Sequence, residues 1–259
     1  MGPLVIVPTY NERDNLHTLA GGLLAIPEVE VLVVDDGSPD GTGQLADQLA
    51  SANPHRLSVL HRTGPRGLGL SYVDGMRYAL ARGAALIVQM DADLSHDPAA
   101  LPRLFRAAAD ADLIIGSRYV EGGRIENWPV WRLVLSAAAN RYVRAITGLE
   151  ARDCTSGFRC WRRSALAKMP LDRIVSDGYS FLVELTWEAT RAGCRVAEVP
   201  ITFSERRKGV SKLSVSTIAE SALLPWRLAG RGTKPRAGAV GDSALDTRSR
   251  HHDEESSKR

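Results

Sequence analysis

From its first residues this chain alternates short β-branched apolar runs with stretches of helical spacing. Residues 4–7, 29–34, 57–60, 85–90 and 113–115 read as strands, and residues 16–25, 45–49 and 72–81 carry helical spacing. A further helix opens at Asp97-Pro98, between the fourth and fifth strands. The first two strands are apolar at every position or nearly so, which requires both of their faces to be buried. Parallel neighbours need a crossover between them, and crossover helices supply that cover. The pattern predicts an α/β fold: a mainly parallel, Rossmann-like sheet with helices on both faces, in a single domain. Pro8 is expected to stop the first strand.

The second half changes character. Residues 128–147 and 180–191 have long helical patterns, separated by the polar segment Asp153-Cys154-Thr155-Ser156-Gly157-Phe158-Arg159. A strand at 196–199 precedes the charged stretch Glu205-Arg206-Arg207-Lys208-Gly209, read as mobile. Val215, Ile218, Ala219, Ala222, Leu223 and Trp226 form a helical stripe, which Pro225 is expected to bend or end. Past Gly230 hydrophobic residues nearly vanish. The expected organisation is one α/β domain over 1–213, an amphipathic helix over 214–229 and a disordered polar tail over 230–259.

Composition narrows the partners. With 259 residues, 44% of them hydrophobic, the chain can bury a core without disulfides. A net charge of +3 is too slight for a nucleic-acid footprint. Three cysteines (Cys154, Cys160, Cys194) with no C-x-x-C pair suit neither a disulfide framework nor a zinc site. No run approaches the ~18 apolar residues of a spanning helix, and Met1-Gly2-Pro3 leads straight into a strand without a signal peptide. The expected location is cytoplasmic.

In an open parallel sheet, ligands bind beyond the carboxyl ends of the strands. The first strand is followed there by Pro8-Thr9-Tyr10-Asn11-Glu12, the second by Asp35-Asp36-Gly37-Ser38-Pro39-Asp40-Gly41-Thr42, and the strand ending at Met90 by Asp91-Ala92-Asp93. Each alone is explicable as a turn or a helix cap. Together they bring carboxylates from three strand ends to one edge, where they repel each other unless a divalent cation sits among them. Oxygen ligands without histidine or cysteine favour Mg²⁺ or Mn²⁺, which complete their shells with water and substrate phosphates. A nucleoside diphosphate is the matching partner. Neither G-x-x-x-x-G-K-[ST] nor G-x-G-x-x-G is present in the corresponding places.

These segments, with Gly67-Leu68-Gly69, Leu94-Ser95-His96, Gly116-Ser117-Arg118-Tyr119, Ser156-Gly157-Phe158-Arg159, Val199-Pro200-Ile201 and Ser211-Lys212-Leu213, occur in an order that resembles the dolichol- (polyprenol-) phosphate mannose synthases. Those are family-2 glycosyltransferases of the GT-A fold, and the resemblance spans roughly residues 4–213. It implies mannose transfer from GDP-mannose to a polyprenyl monophosphate. It assigns Pro8, Tyr10, Glu12, Val34 and Asp36 to the nucleoside pocket. By the same resemblance Asp91 and Asp93 would hold the metal and through it the diphosphate, with Ala92 close by, and Arg118, Arg206 and Lys212 would bind phosphate groups. Where relatives carry a metal-ligating Gln this chain has Ser95, which leaves the third protein ligand open. Arg132 and Ser136, four apart on one helix face, suit the acceptor phosphate beside Arg118. That acceptor is anionic near pH 7, its second pKa being about 6. It needs no general base, only positive charge and orientation for attack with inversion, so an α-linked donor gives a β-linked product.

Alternatives at this stage are a UDP-sugar donor such as UDP-glucose, or a non-catalytic nucleotide-sugar-binding scaffold. The lipid acceptor implies peripheral attachment to the cytoplasmic face, with the 215–228 helix and Arg227 and Arg231 at the surface, and a separate membrane-anchoring protein as a further partner.

Overall fold

The computed structural model describes residues 2–174, 176, 178–205 and 215–231. Its strands are β1 (Leu4–Thr9), β2 (Glu30–Asp35), β3 (Leu57–His61), β4 (Leu86–Gln89), β5 (Leu113–Ser117), β6 (Arg124–Glu126), β7 (Arg159–Arg162), β8 (Val196–Pro200) and β9 (Thr202–Ser204). Its helices are α1 (Arg13–Leu24), α2 (Thr42–Ala52), α3 (Leu68–Arg82), α4 (Leu101–Ala107), α5 (Val130–Thr147), α6 (Arg163–Leu166), α7 (Gly178–Arg191) and α8 (Val215–Gly230). A 3-10 turn at Pro98–Ala100 leads into α4, its first free N–H bonded to the Asp97 carboxylate.

Seven strands form one sheet in the order β3-β2-β1-β4-β7-β5-β8, and β6 and β9 pair separately. All neighbours in the large sheet are parallel except β7, which runs antiparallel to both β4 and β5. The expected mainly parallel sheet is present, and its one reversed strand is what the sequence did not announce. Period-2 alternation divides the buried residues between two layers. Leu4, Ile6, Leu32 and Val34 join Tyr72, Met76, Phe181 and Trp187 on one face. Val5, Val7, Val31 and Val33 join Leu16, Leu19, Leu23, Leu101 and Leu104 on the other.

Two expectations about proline are corrected. β1 does not stop at Pro8 but runs on to Thr9, opposite Asp35 of β2. The Met90 N–H bonds the Ile6 carbonyl, so Pro8, of the same parity, turns its missing N–H toward β4, whose pairing with β1 has already ended at Gln89. Nor does Pro225 end α8, which continues to Gly230. Leu224 and Leu228 are buried in the core, and α8 packs against α5 and α7. Ala222, Leu223 and Trp226 of the expected stripe lie outward; the side chains of Val215, Ile218 and Ala219 lie outside the described residues. Arg231, expected to face head groups, is paired with the buried carboxylate of Glu184 at 2.9 Å. The charged stretch after Glu205 and the expected tail past Arg231 also fall outside the described residues.

Candidate active site

The carboxyl ends of β1, β2 and β4 open into one cavity of about 540 Å³. Its lining includes Pro8, Tyr10, Glu12 and Asp36, joined by Arg66 and Gly67. The Asp36 carboxylate is committed on both oxygens: one bonds Arg62, the other accepts the Gly67 N–H at 2.9 Å. Arg62 also bonds Asp74 at 2.8 Å, so the end of β3 is tied to α3 through a nearly buried cation. Arg66 lies over the Tyr10 ring at 4.9 Å and bonds its hydroxyl. Val34 is elsewhere: its side chain belongs to the core layer with Ile6 and Leu32 and does not line the cavity. Asp35 and Asp40, counted among the converging carboxylates, serve the loop itself. Asp35 accepts from the Ser38 hydroxyl at 2.6 Å, and Asp40 caps the N–H of Thr42 at 3.0 Å. For Asp40, burial works against the charged form, but the Thr42 bonds outweigh it and the pKa falls below the usual carboxylate value.

Asp91, Ala92 and Asp93 lie together in the wall. The Tyr72 hydroxyl donates to Asp91 Oδ1 at 2.8 Å. Tyr72 is buried and stacks on Phe181, and burial, reinforced by the Asp91 carboxylate, pushes its pKa well above normal, so the donor stays protonated. The Ser95 hydroxyl and backbone N–H donate to Asp93 Oδ1 at 2.6 and 3.1 Å. Ser95 therefore orients Asp93. Across from the pair lies Gly157, where a Cβ would stand 2.9 Å from Asp91 Oδ2. Gly157→Ala is expected to displace the Asp91 carboxylate and weaken Mn²⁺ binding by about tenfold, in the range of changes that misorient a ligand, with little change in melting temperature. Isothermal titration with Mn²⁺ in the presence of GDP checks this.

These residues suit a hard divalent cation. Two aspartates whose Oδ1 atoms are already oriented by hydroxyl donors are a typical protein contribution for Mg²⁺ or Mn²⁺, with the remaining positions left to diphosphate and water. Among the described residues no group of three or more His, Cys, Asp or Glu side chains is arranged to hold a metal ion.

Arg118, Trp128, Thr155 and Ser156 line the same cavity. Arg118 is held by Asp153 in a two-point bond, Nε and Nη2 each at 2.7 Å, and Nη2 also donates to Thr155 at 2.8 Å. Burial opposes the guanidinium charge, but the Asp153 bond more than compensates and raises its pKa. Asp153 is completely buried and in turn accepts the Arg118 backbone N–H at 3.0 Å. The loop before β7 is fixed by Arg159, a fully buried cation with no carboxylate partner among the described residues. Its nitrogens donate to the carbonyls of Ser156, Leu182 and Cys154 at 2.8–2.9 Å, and burial lowers its pKa to about 10. Arg132 and Ser136 stand beside Trp128 and Tyr119 without lining the cavity. Arg132 lies 4.0 Å over the Trp128 ring and pairs with Glu205, while Ser136 accepts from the Tyr119 hydroxyl at 2.7 Å. Arg118 lies 5.9 Å from the same Trp128 ring and 5.5 Å from that of Tyr119. The fold thus gathers Arg118, Arg132 and Ser136 around two aromatic rings. Arg206 and Lys212 lie outside the described residues.

Sequence reasoning did not single out Arg62, Arg66, Tyr72 or His96, although all but Arg62 line the cavity. The glycine-rich Arg66-Gly67-Leu68-Gly69 was the available signal for one of them. His96 closes the Leu94-Ser95-His96 segment of the family resemblance, which gave it no role, and Tyr72 has no signal that a single chain displays.

A family model described as glycosyl transferase family 2 matches residues 4–169. Over 237 residues the chain is 52% identical to a polyprenol monophosphomannose synthase of Mycolicibacterium smegmatis, covering 90% of this chain and 89% of that one. It is 47% identical over 243 residues to an undecaprenyl-phosphate mannosyltransferase of Micrococcus luteus, covering 92% of this chain and all of the other. Among solved structures, a mannosyltransferase of Pyrobaculum calidifontis in complex with GDP-Man and Mn²⁺ superposes with a TM-score of 0.60 at 20% identity, over 90% of this chain and 65% of that one.

Proposed function

The chain belongs to glycosyl transferase family 2, and from that premise we propose that it transfers mannose from GDP-mannose to a polyprenyl monophosphate, giving polyprenol phosphate mannose. The observation that carries this reading is near full-length identity of 52% and 47% with relatives named for mannosyl transfer to such lipids. The cavity is chemically consistent with it, because the Asp91 and Asp93 carboxylates and the Arg118 guanidinium line one space.

In this reading Pro8, Tyr10, Glu12 and Asp36 bound the nucleoside, and Asp91 and Asp93 hold Mg²⁺ or Mn²⁺ against the diphosphate. When bound, the cation neutralises the charge that develops on the leaving nucleoside diphosphate. The Tyr72 and Ser95 hydroxyls keep the two carboxylates in fixed orientations. Arg118 already has its charge balanced by Asp153. Its Nε and Nη2 are occupied, so Nη1 is the guanidinium nitrogen left to meet an acceptor phosphate. Arg132 reaches the same region once it exchanges Glu205 for phosphate, a small loss because part-exposed ion pairs are worth ~1 kcal/mol or less. Arg206 and Lys212 would add positive charge to the phosphates. The acceptor oxygen is anionic before it attacks, so no side chain has to remove a proton. Transfer of label from GDP-mannose into the organic phase, dependent on Mg²⁺ or Mn²⁺ and stopped by EDTA, tests the reading.

A lipid acceptor requires contact with a membrane, yet no helix among the described residues is long and apolar enough to cross one. The support for peripheral attachment is the surface of α5 and α8. Val130, Trp131, Val134 and Leu135 are exposed on α5, Trp131 to 67%, and Leu223 and Trp226 on α8 continue the patch. Trp226 donates to Tyr142, whose hydroxyl bonds the Ala222 carbonyl, so the helices are latched together. Exposed Arg141, Arg144 and Arg227 flank the apolar residues. Aromatic and leucine side chains bordered by arginine suit an anionic lipid interface. Such a surface gives reversible attachment, and a separate membrane protein would supply a second anchor. Trp131→Glu with Leu135→Glu is expected to reduce pelleting with anionic liposomes at least about fivefold, as loss of two interfacial side chains should, without lowering the melting temperature. Unchanged pelleting would assign attachment to another surface.

A further inference from the structure

Among the described residues, four buried side-chain atoms have no hydrogen-bond partner: Gln89 Nε2, both ring nitrogens of His96, and Trp128 Nε1. Buried polar atoms in folded proteins are nearly always paired. Three of these four belong to residues in the wall of the cavity just described. His96 and Trp128 are also neighbours through one ring. Phe203 lies 5.4 Å from His96 and 5.4 Å from Trp128, edge-on to both, and Phe158 packs at 5.2 Å on the imidazole. Arg118 lies 5.3 Å from the same Phe203 ring. His96 itself is only 2% exposed.

We propose that His96 and the indole of Trp128 form the subsite that binds hydroxyl groups of the transferred sugar. This deepens the mannosyl-transfer reading and rests on it. During transfer the sugar must lie between the diphosphate, held at Asp91 and Asp93, and the acceptor phosphate, held at Arg118. His96 is three residues beyond Asp93 in sequence and shares Phe203 with Arg118, so it belongs to that intermediate space. The chemistry of the unpaired atoms matches a hydroxyl. A neutral imidazole offers one donor and one acceptor, an indole offers one donor, and a sugar hydroxyl can both donate and accept. Phosphate, which only accepts, would use the cations instead. The rings of Phe158, Phe203 and Trp128 supply apolar edges against which the C–H faces of a pyranose can pack.

The test compares wild type with His96→Phe, which keeps the ring and removes both nitrogens, and Trp128→Phe, which removes only the indole N–H. GDP binding, GDP-mannose turnover and turnover of GDP-mannose analogues lacking one ring hydroxyl are measured for each. The expected result is a fall of about 10–100-fold in kcat/KM for GDP-mannose, the effect of losing one or two neutral hydrogen bonds in a dry site. GDP affinity should stay within about twofold, because the nucleotide part is untouched. At least one deoxy donor should be used poorly by wild type yet suffer no further loss in a variant, which a purely structural role would not produce. Should His96→Phe not fold, Trp128→Phe carries the same comparison. Full GDP-mannose turnover in the variants, with wild type active, would mean that ordered water alone satisfies these nitrogens and would overturn the subsite while leaving mannosyl transfer standing. Parallel loss of GDP binding would overturn it too, by marking a structural role. A wild type that binds GDP-mannose no better than UDP-glucose and transfers neither sugar would overturn the mannosyl-transfer reading itself, and the subsite with it.

Discussion

Asp93→Asn is expected to lower mannosyl transfer at least about 10³-fold, equivalent to the several kcal/mol that a bound cation contributes to the transition state. Asparagine is the informative replacement. Asp93 is buried and accepts two bonds from Ser95, so alanine would leave the Ser95 hydroxyl and N–H without an acceptor and lose stability for reasons unrelated to chemistry. The amide oxygen of asparagine can keep both bonds while removing the charge that holds Mg²⁺ or Mn²⁺. The melting temperature should therefore stay near that of wild type while metal affinity and turnover collapse together. Activity within tenfold of wild type would remove Asp93 from the metal site.

Asp153→Ala is expected to cost about 3–5 kcal/mol of stability, because it strands the guanidinium of Arg118 in a buried setting. For a domain of this size that corresponds to a fall of roughly 10 °C in melting temperature. Turnover should fall as well, though not through loss of a base. Asp153 has no proton to take from an anionic acceptor, and its oxygens already face Arg118. The distinguishing experiment is Asp153→Ala with Arg118→Met. If the pair is mainly a unit of charge and counter-charge, the double variant should recover part of the lost stability without recovering activity. A double variant as unstable as the sum of the singles would deny that coupling.

The parallel sheet was legible because its strands are nearly pure Val, Ile and Leu and its helices carry their own spacing. β7 was not. Arg-Cys-Trp-Arg presents no alternation, and Arg159 looks like a surface residue until its three carbonyl partners are seen. The acidic strand ends were legible as a group, yet their division of labour was not. Asp35 and Asp40 build the loop, and only the three-dimensional arrangement separates them from Asp36 and Asp91. Val34 shows the limit of motif transfer by position, since the parity of β2 puts its side chain on the core face with Leu32. α5 shows the limit of periodicity. Its apolar residues suggest burial, but Asn140, Val143 and Thr147 are its buried positions, and the Trp131–Leu135 end stands in solvent. The outward stripe on α8 has the same lesson. Removing residues 215–231 to test attachment would also strip Leu224 and Leu228 from the core, so substitutions on α5 are the cleaner probe.

The central claim is tested most directly by offering the purified protein GDP-mannose and UDP-glucose in parallel, each with a polyprenyl phosphate and Mn²⁺. The account predicts that mannose alone enters the organic phase as a β-linked phosphodiester, and only when the lipid phosphate is present. Label from UDP-glucose in that phase, or mannose transfer that does not require the lipid phosphate, would contradict it.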